Sequence, residues 1–523
     1  MATIPYAELH AHTNFSFLDG ASAADDLVER AIAKGLTALA VTDHNGLYGA
    51  VRFMGVAEEA GLHGIVGTEI DLLDPAVPDH ASIVILPRRR PRRRRAGPTD
   101  DTPSPAEGRP ARPRPQRAKL PGHRAPVKED FRGIDDRARG PHLVLLARSS
   151  VGWRSLSRLI SRANLAGTKA VPQFRHELLE AEHEGVIALS GCRDGEIARR
   201  LRVGDRAGAR AAAERYARIF GRGDGPSTSG FFIELSHHLL PDDDWLVTES
   251  AALAAELDLP VVVTNDVHYA TPDDREFHDV LTAIRHGRTL DTLADLRRPD
   301  AESSIKSGDE LAALAAGFDA ETARAWREGM ATGVEVAASC AVDLEFEQYR
   351  FPGFPVPDGE TPFSYLSELC WAGARRRYHP LTSAVVTRLA HELGVIERAG
   401  LAEFFLICWD LMRFAKEQGI PAQGRGSATS SIVSYTLGIS RVEPITHDLL
   451  FERFINPGRT TYPDVDIDFS SERREEVIQY IYRRYGPEHT GMVCNLVTYR
   501  ARSAVREIGY ALGFPRPLVD RVA

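Results

Sequence analysis

Three aspartates alternate with apolar residues in the segment Pro463–Phe469, which reads Pro-Asp-Val-Asp-Ile-Asp-Phe. Because side chains in a β-strand alternate between faces, we expect Asp464, Asp466 and Asp468 to share one face. Carboxylates this close together repel one another unless a cation neutralises them. A pair of metal ions that clamps the oxygens of a phosphoryl transfer would meet this requirement. The alternative is a solvated acidic edge strand, which discourages pairing with further strands.

A glycine-rich loop, Gly424-Arg425-Gly426-Ser427, precedes the aspartates in the chain. We predict a helix over residues 429–437 directly after the loop, so that the helix N-terminus and the glycine N–H groups could bind a triphosphate. Arg425 adds a full positive charge, and Arg453, which lies between the loop and the aspartates, is a second candidate phosphate contact. Taken alone, the loop also fits an ordinary turn.

A further helix is predicted after the aspartates, with Ser470 or Ser471 as its N-terminal cap. A helix that packs through one apolar stripe would hold the acidic strand in place and keep its carboxylates fixed. The predicted stripe comprises Val477, Ile478, Ile481 and Tyr482.

A second set of metal-binding side chains lies in the N-terminal half, mostly at the ends of predicted strands. In a barrel such strand ends meet at one edge. A mixture of imidazole, carboxylate and thiolate ligands suits zinc, manganese or iron, in sufficient number here for two or three ions that would activate water for phosphoester hydrolysis. Any one of these histidines, taken alone, is more often structural. The set comprises His10, His12, Asp19, His44, Glu69, His142, Cys192, Asp266 and His268, of which His142 opens its strand and fits the strand-end rule less well.

Short apolar segments alternate with helical patterns up to about residue 275, which predicts a parallel sheet or a barrel. The predicted strands cover residues 36–42, 64–70, 83–86, 143–147, 186–190, 232–235 and 261–264. Beyond residue 276 the pattern is largely helical, over residues 276–286, 320–338, 363–378 and 401–418. Gly419 is expected to end the last of these helices in the left-handed conformation.

The composition of the chain, 43% hydrophobic and 26% charged over 523 residues, predicts a soluble globular protein of two to four domains. No apolar run is long enough to cross a bilayer, and the start lacks a signal-peptide pattern, so we expect a cytoplasmic protein without membrane association. The net charge of −9 hides a basic, Arg- and Pro-rich insertion over residues 88–140, which we predict to be disordered. This insertion is either a nucleic-acid tether or an inert excursion.

The nine spaced ligand residues resemble the motifs of the polymerase and histidinol phosphatase (PHP) domain family, and all nine positions match. These motifs are His10-x-His12, Asp19, Thr42-Asp43-His44, Glu69, His142, Cys192 and Asp266-x-His268. The resemblance implies a distorted seven-stranded barrel with a trinuclear metal centre. It also implies that the domain can act as a 3′→5′ exonuclease in polymerases whose ligands are intact.

Three ordered motifs resemble the palm of the bacterial C-family DNA polymerases, the polymerase III alpha subunit family. They are Gly424–Ser427, Phe451-Glu-Arg-Phe-Ile-Asn-Pro457 and Pro463–Phe469, and residues 495–507 are more similar to the error-prone paralogue than to the replicative subunit. The expected fold class is α/β: a PHP-type distorted (β/α)7 barrel, then a mainly helical segment and a partial polymerase β-like nucleotidyltransferase palm. The expected domains are the barrel over 1–275, the first part of the palm over 276–495 and the start of a thumb over 496–523.

By position, the resemblance implies that Asp464 and Asp466 are two of three catalytic aspartates and hold Mg²⁺, while Asp468 supports the strand. The incoming dNTP would contact Gly424, Arg425, Gly426, Ser427 and Arg453. The expected activity is error-prone DNA synthesis on a primer-template, and the alternative is a 3′→5′ exonuclease or phosphoesterase activity of the barrel. The third aspartate and contacts to a sliding clamp and other damage-response polymerase proteins are expected beyond residue 523, so we expect that these residues alone do not extend primers.

Overall fold

Seven strands form a single sheet, in chain order, at the centre of the N-terminal unit. The structure is a computed structural model and describes residues 4–73, 140–168, 171–344, 352–455, 463–493 and 495–523. The strands are β1 (Ala7–Glu8), β2 (Ala38–Val41), β3 (His63–Asp71), β4 (His142–Ala147), β5 (Val186–Leu189), β6 (Phe231–Leu235) and β7 (Val261–Val263). β4 runs antiparallel to both β3 and β5, whereas the other neighbouring pairs are parallel. The expectation of a parallel sheet is therefore wrong at β4.

The sheet curls until the segments after its first and last strands meet. The N–H of His12 donates to the carbonyl of Val267 at 2.8 Å, and the N–H of Val267 donates to the carbonyl of His10 at 2.9 Å. These bonds agree with the expected α/β class and distorted barrel, which are confirmed. Strands β2 to β7 were predicted from the sequence. Strand β1 was not, because it is only two residues long and both pair with β2. The strand predicted over 83–86 lies outside the described residues.

Helices follow most of the strands and pack their apolar faces against the sheet. They are α1 (Ala24–Ala33), α2 (Ala50–Glu59), α3 (Ser150–Ala166), α4 (His176–Ala181), α5 (Glu196–Arg202), α6 (Arg206–Phe220), α7 (Asp243–Leu257), α8 (Arg275–His286), α9 (Gly308–Leu314) and α10 (Ala320–Ser339). Helix α10 packs so closely on β7 that a Cβ added at Gly329 would lie 3.1 Å from the side chain of Val263. The compact unit therefore continues past residue 275, the predicted end of the barrel domain, to Leu344.

The second unit, Glu345–Val497, is mainly helical. Its elements are α11 (Pro362–Arg377), α12 (Ser383–Arg398), α13 (Ala402–Glu417), β8 (Ala422–Arg425), α14 (Ile432–Leu437), β9 (Asp466–Phe469) and α15 (Arg474–Tyr485). The four long helices predicted from the sequence, now α8, α10, α11 and α13, are confirmed to within one residue at each end. Gly419 has the predicted left-handed backbone, with a φ of 66°.

The helix after the acidic strand begins later than predicted. Its N-cap is Arg473, and the carbonyl of Ser470 accepts the N–H of Arg473 in a turn. The expectation that Ser470 or Ser471 caps this helix is therefore wrong. The predicted packing is confirmed for Val477, which is buried in a small cluster that also includes Ile481.

A buried carboxylate caps the N-terminus of α14. Oε2 of Glu392 accepts hydrogen bonds from Oγ of Ser431 at 2.7 Å and from the N–H groups of Ile432 and Val433 at 2.9 and 3.3 Å. The glycine-rich loop instead leads into a 3₁₀ turn, Gly426–Ser430. The helix therefore begins at Ile432, later than predicted, and Glu392 occupies its N-terminal donors. Triphosphate binding by the loop stays a prediction.

Two further helices, α16 (Ala501–Ala511) and α17 (Arg516–Val522), belong to the first unit. The hydroxyl of Tyr510 donates to the carbonyl of Gly287 at 3.4 Å, and Ala511 is buried in a cluster with Ala283 and Leu293. Whether they begin a thumb stays a prediction. Within the described ranges, no helix has the length and apolarity needed to cross a membrane. The basic insertion predicted over 88–140 lies almost wholly outside the described residues.

Replacing Glu392 with alanine should loosen α14. The substitution leaves two buried N–H groups and the guanidinium of Arg388, now 2.8 Å from Glu392, without this partner. The expected loss is about 3 kcal/mol, so hydrogen-exchange mass spectrometry should show roughly 100-fold faster exchange over residues 428–437. Glu397→Ala is the control, because Glu397 is exposed and lies on α12, the helix that also carries Glu392. Unchanged exchange over residues 428–437 in Glu392→Ala would show that the cap is dispensable.

Candidate functional site

The nine metal-binding residues predicted for the N-terminal unit come together at one end of the sheet. Seven of them line a cavity of about 710 Å³, and His10 and His12 are fully buried next to them. Strands β2, β3, β5 and β7 reach this end with their last residues. Because β4 runs the other way, its first residue, His142, pairs with Asp71 near the end of β3. His142 is thus in the position that the strand-end rule requires, although it begins its strand.

His10 and His12 are fully buried and face each other. Nδ1 of His10 lies 2.8 Å from Oε1 of Glu234, and Nδ1 of His12 lies 3.2 Å from Oγ of Ser16. The Ser16 hydroxyl itself donates to Asp43 at 2.7 Å, so it accepts from the histidine. Both Nδ1 atoms are therefore assigned as donors, which leaves the two Nε2 lone pairs 3.2 Å apart.

The carboxylates of Glu69 and Asp266 face the same two imidazoles. Nε2 of His10 lies 3.3 Å from Glu69 and 3.6 Å from Asp266, and Nε2 of His12 lies 3.6 Å from each. Burial alone would lower the pKa of His10, but the surrounding carboxylates outweigh it and raise the pKa. Burial, together with two neighbouring imidazoles, lowers the pKa of His12 to about 3, which keeps its ring neutral.

His44 connects Asp19 and Glu69. Its Nε2 lies 2.9 Å from Oδ2 of Asp19, and its Nδ1 lies 3.0 Å from Oε2 of Glu69. Burial would lower the pKa of His44, but these carboxylates raise it to about 9. Burial would raise the pKa of Asp19, but Arg285, 2.8 Å away, and His268 hold it well below its usual range.

A sharp turn after β5 presents Cys192 to the cavity. Gly191 has a φ of 86°, and a Cβ added there would lie 2.6 Å from the carbonyl oxygen of His142, so a glycine is required. Sγ of Cys192 lies 3.7 Å from Nδ1 of His142 and 3.8 Å from Oε1 of Glu69. Burial and nearby carboxylates raise the pKa of the thiol, so the thiol keeps its proton until a cation replaces it.

Asp266 has a strained backbone with a φ of 41°, which is costly for a residue other than glycine. The N–H of its neighbour Asn265 donates to the buried Glu8 at 3.0 Å, which helps to hold this conformation. Oδ1 of Asp266 lies 3.0 Å from Nε2 of His268. Nδ1 of His268 then has no hydrogen-bond partner among the described residues and is free to bind an ion.

Arginine side chains line the cavity beside these residues. Arg193 is held by Asp243 at 2.7 Å, and Arg298 donates to Oγ of Ser303 at 2.7 Å. Guanidinium groups bind phosphate oxygens in a bidentate manner, so the cavity suits an anionic phosphoester next to bound cations. The arginines are Arg193, Arg199, Arg285, Arg297 and Arg298.

Four groups of ligand atoms are close enough to share ions within the described part of the chain. They contain all nine predicted residues and His278 in addition: His10, His12 and Asp266; His12, His44 and Glu69; Asp19, His268 and His278; and Glu69, His142 and Cys192. Nitrogen, oxygen and sulfur ligand atoms that converge in this way fit divalent transition-metal ions. The identity of the ions stays a prediction.

In the second unit, the acidic strand β9 pairs with the glycine-rich strand β8. The two strands are antiparallel, with Arg425 opposite Asp466 and Gln423 opposite Asp468. The predicted alternation is confirmed, although the strand is shorter than predicted and Asp464 precedes it. The three aspartates are exposed, and the three apolar residues between them, Val465, Ile467 and Phe469, are half-buried.

Arg425 lies between two of the aspartates. Its Nη1 is 3.3 Å from Oδ2 of Asp466, and its Nε is 3.1 Å from Oδ1 of Asp468. A Cβ added at Gly424 would lie 2.8 Å from the carbonyl oxygen of Ile439, so a larger residue would push the strand away. The structure therefore brings the loop and the acidic strand together, with Ser427 in the adjoining turn.

Arg453 is exposed and lies in a separate 3₁₀ turn, Phe451–Arg453. Phe451 of that turn is buried in the same hydrophobic core as Ala428 of the loop region. The turn is thereby anchored in the unit that carries the acidic strand. A contact between Arg453 and a nucleotide stays a prediction.

Two protein families match this chain. Residues 8–238 match the PHP domain, and residues 364–523 match the bacterial DNA polymerase III alpha NTPase domain. The error-prone DNA polymerase of Nocardia farcinica is 40% identical, over 98% of this chain and 43% of the relative. The error-prone DNA polymerase of Symbiobacterium thermophilum is 36% identical, over 99% and 42%. The DNA polymerase III subunit alpha of Treponema pallidum is 32% identical, over 98% and 39%.

The chain belongs to the bacterial DNA polymerase III alpha family. Within the family it lies with the error-prone paralogues, as the motifs predicted. The chain spans about two fifths of the length of these relatives.

Sequence reasoning missed several residues of the barrel site, among them Glu234, His278 and Arg285. Glu234 is the one charged residue in the apolar strand Phe231–Leu235, and that interruption was an available signal. His278 and Arg285 are seven residues apart and so share a face of α8, but any helix offers such pairs. Both lie beyond residue 238, where the PHP match ends.

Metal binding to the barrel should tighten as the pH rises from 6 to 8. In the metal-free chain the pKa of His44 is about 9, so its ring is protonated over this range and must release a proton to become a ligand. Each displaced proton should change the affinity by about tenfold per pH unit. Calorimetric titration with Zn²⁺ in two buffers of different ionisation enthalpy measures the released protons. Affinity that does not vary with pH would contradict this protonation scheme.

Proposed function

We propose that this protein takes part in error-prone, template-directed DNA synthesis, transferring nucleotides from dNTPs to a primer 3′-OH during damage tolerance. The second unit would contribute part of the nucleotidyl-transfer site. The observation that carries the proposal is the β8–β9 pair, which sets Arg425 directly opposite Asp466 on an exposed face. The names of the error-prone relatives support the same activity.

In this site, Asp464 and Asp466 would hold Mg²⁺, which when bound neutralises triphosphate charge and activates the primer hydroxyl. Arg425 would exchange its aspartate partners for phosphate oxygens. Such an exchange is feasible because exposed ion pairs contribute little, whereas guanidinium–phosphate contacts are charge-assisted and bidentate. Asp468 would keep Arg425 near the site. Further triphosphate contacts would come from Gly424, Gly426, Ser427 and Arg453.

The proposed substrates are a DNA primer-template and dNTPs, and the proposed location is the cytoplasm. Contacts with a sliding clamp and with other damage-response polymerase proteins would involve regions of the relatives that these residues do not cover. The positive charge of Arg425 and Arg453, both exposed, supports a polyanionic substrate in the second unit.

Primer extension by the full reading frame that contains these residues tests the polymerase assignment. Asp464→Asn and Asp466→Asn should each lower the incorporation rate by about a thousandfold, because each removes a carboxylate that holds Mg²⁺. Glu472→Gln, an exposed carboxylate just after β9, is the matched control and should retain the rate. Full activity in either aspartate variant would contradict the assignment.

We also propose a second activity, hydrolysis of phosphoesters in the barrel cavity, as a 3′→5′ exonuclease or phosphoesterase. The observation that favours it is the convergence of four ligand groups and five arginines on one cavity of about 710 Å³. Divalent ions there would supply Lewis-acid activation of the phosphoester and of the hydrolytic water. Arg193 and Arg298, which are fixed by their own hydrogen bonds, would orient the phosphate.

Cleavage of a 3′-labelled, recessed DNA duplex with Zn²⁺ or Mn²⁺ tests this second activity. Asp266→Asn should abolish cleavage, because Asp266 faces both His10 and His12. The exposed Glu256→Gln, on α7, is the control and should cleave as the unaltered protein does. No cleavage by the unaltered protein with either metal would reject the activity.

A further inference from the structure

His278 lies on α8 with its imidazole buried beside the cavity; only 3% of the residue is exposed. Neither ring nitrogen has a hydrogen-bond partner in the part of the chain that the structure describes. A buried imidazole normally satisfies its N–H and its lone pair. Oδ1 of Asp19 lies 3.7 Å from Nε2, which is too far for a hydrogen bond. A partner of another kind is therefore expected.

The surroundings of His278 have the geometry of an ion site. Oδ1 of Asp19 lies 3.4 Å from Nδ1 of His268, which is also a buried ring nitrogen without a hydrogen-bond partner among the described residues. The ligand atoms of Asp19, His268 and His278 all lie within 4.8 Å of one another. Ligands of a tetrahedral zinc ion, each about 2.0–2.1 Å from the metal, are about 3.4 Å apart, so the distances of 3.4 and 3.7 Å match such a site.

We propose that His278 is a direct ligand of the ion that Asp19 and His268 hold. The proposal rests on the metal centre of the proposed hydrolytic activity and adds a tenth ligand to the nine predicted from the sequence. His44 lies next to this group, because its Nε2 is 2.9 Å from Oδ2 of Asp19. One carboxylate and two imidazoles then bind the ion, which leaves a position of a tetrahedral zinc ion for a further ligand.

This ligand comes from a helix, whereas the nine others lie on strands or in the loops next to them. Two turns further along α8, Nη1 of Arg285 lies 2.8 Å from Oδ2 of Asp19. One face of α8 therefore supplies both a ligand and a countercharge to the same carboxylate. The competing interpretation is a purely packed histidine, since the ring of His278 also lies 5.7 Å from that of Tyr269 and 5.8 Å from that of His268.

Metal analysis of the 523-residue protein decides between these interpretations. The protein is stripped with a chelator and titrated with Zn²⁺, and bound zinc is counted by plasma mass spectrometry after gel filtration. His278→Gln should weaken the binding of one ion by more than the roughly 10- to 100-fold that loss of a residue orienting a ligand costs, without affecting the others. His268→Gln should weaken the same ion. Thr282→Val, a buried change one turn along the same helix face, should bind zinc as the unaltered protein does.

The proposal is overturned if His278→Gln binds as much zinc as the unaltered protein while His268→Gln loses an ion. That result would still support the metal centre. An unaltered protein that binds no zinc would instead reject the metal centre itself. If His278→Gln does not fold, anomalous diffraction from zinc-loaded crystals of the unaltered protein decides. The proposal requires a zinc peak about 2.0–2.1 Å from a ring nitrogen of His278, and a peak that Asp19 and His268 bind without His278 overturns it.

Discussion

The N-terminal unit depends on one constraint: carboxylate oxygens and imidazole nitrogens are buried facing one another at the end of its sheet. Glu69 and Asp266 are buried opposite the imidazoles of His10 and His12, whose other nitrogens already donate hydrogen bonds. In a low-dielectric interior such a group is unstable unless protons or metal ions neutralise it. The curled sheet imposes the convergence, and the left-handed Gly191 and the strained Asp266 are local conformations that complete it.

The acidic strand of the second unit meets the same electrostatic problem under a weaker constraint. Asp466 and Asp468 have side chains that are 48% and 65% exposed, so water screens their repulsion. A single arginine, Arg425, pairs with both of them and offsets part of their charge. The barrel site therefore requires protons or metal ions for its own stability, whereas the acidic strand can exchange an arginine for ions and substrate.

Features that follow from local periodicity could be predicted from the sequence. The alternation along Pro463–Phe469 needs only the two-residue period of a strand, and the long helices need only the spacing of their apolar residues. Six of the seven strands of the N-terminal sheet were found for the same reason. The nine ligands could be proposed because strand ends converge in any closed sheet.

Features that depend on distant contacts could not be predicted. The cap of α14 is Glu392, about forty residues earlier in the chain, so no local signal marks it. The direction of β4 is fixed by its neighbours, and only that direction explains why His142 lies among the ligands. His278 comes from a helix whose placement against the cavity is a tertiary result, and nothing in its spacing separates it from a structural histidine.

The curled sheet gathers buried acceptors into a centre for more than one ion, and counting the ions that the chain retains is the decisive test. Native mass spectrometry of the 523-residue protein, loaded with Zn²⁺ at pH 8 and desalted, makes that count. We expect two or three retained ions per chain, and fewer in Glu69→Gln, because Glu69 belongs to two of the four ligand groups. A folded, unaltered chain that retains no ion would show that the buried acceptors do not form a metal centre.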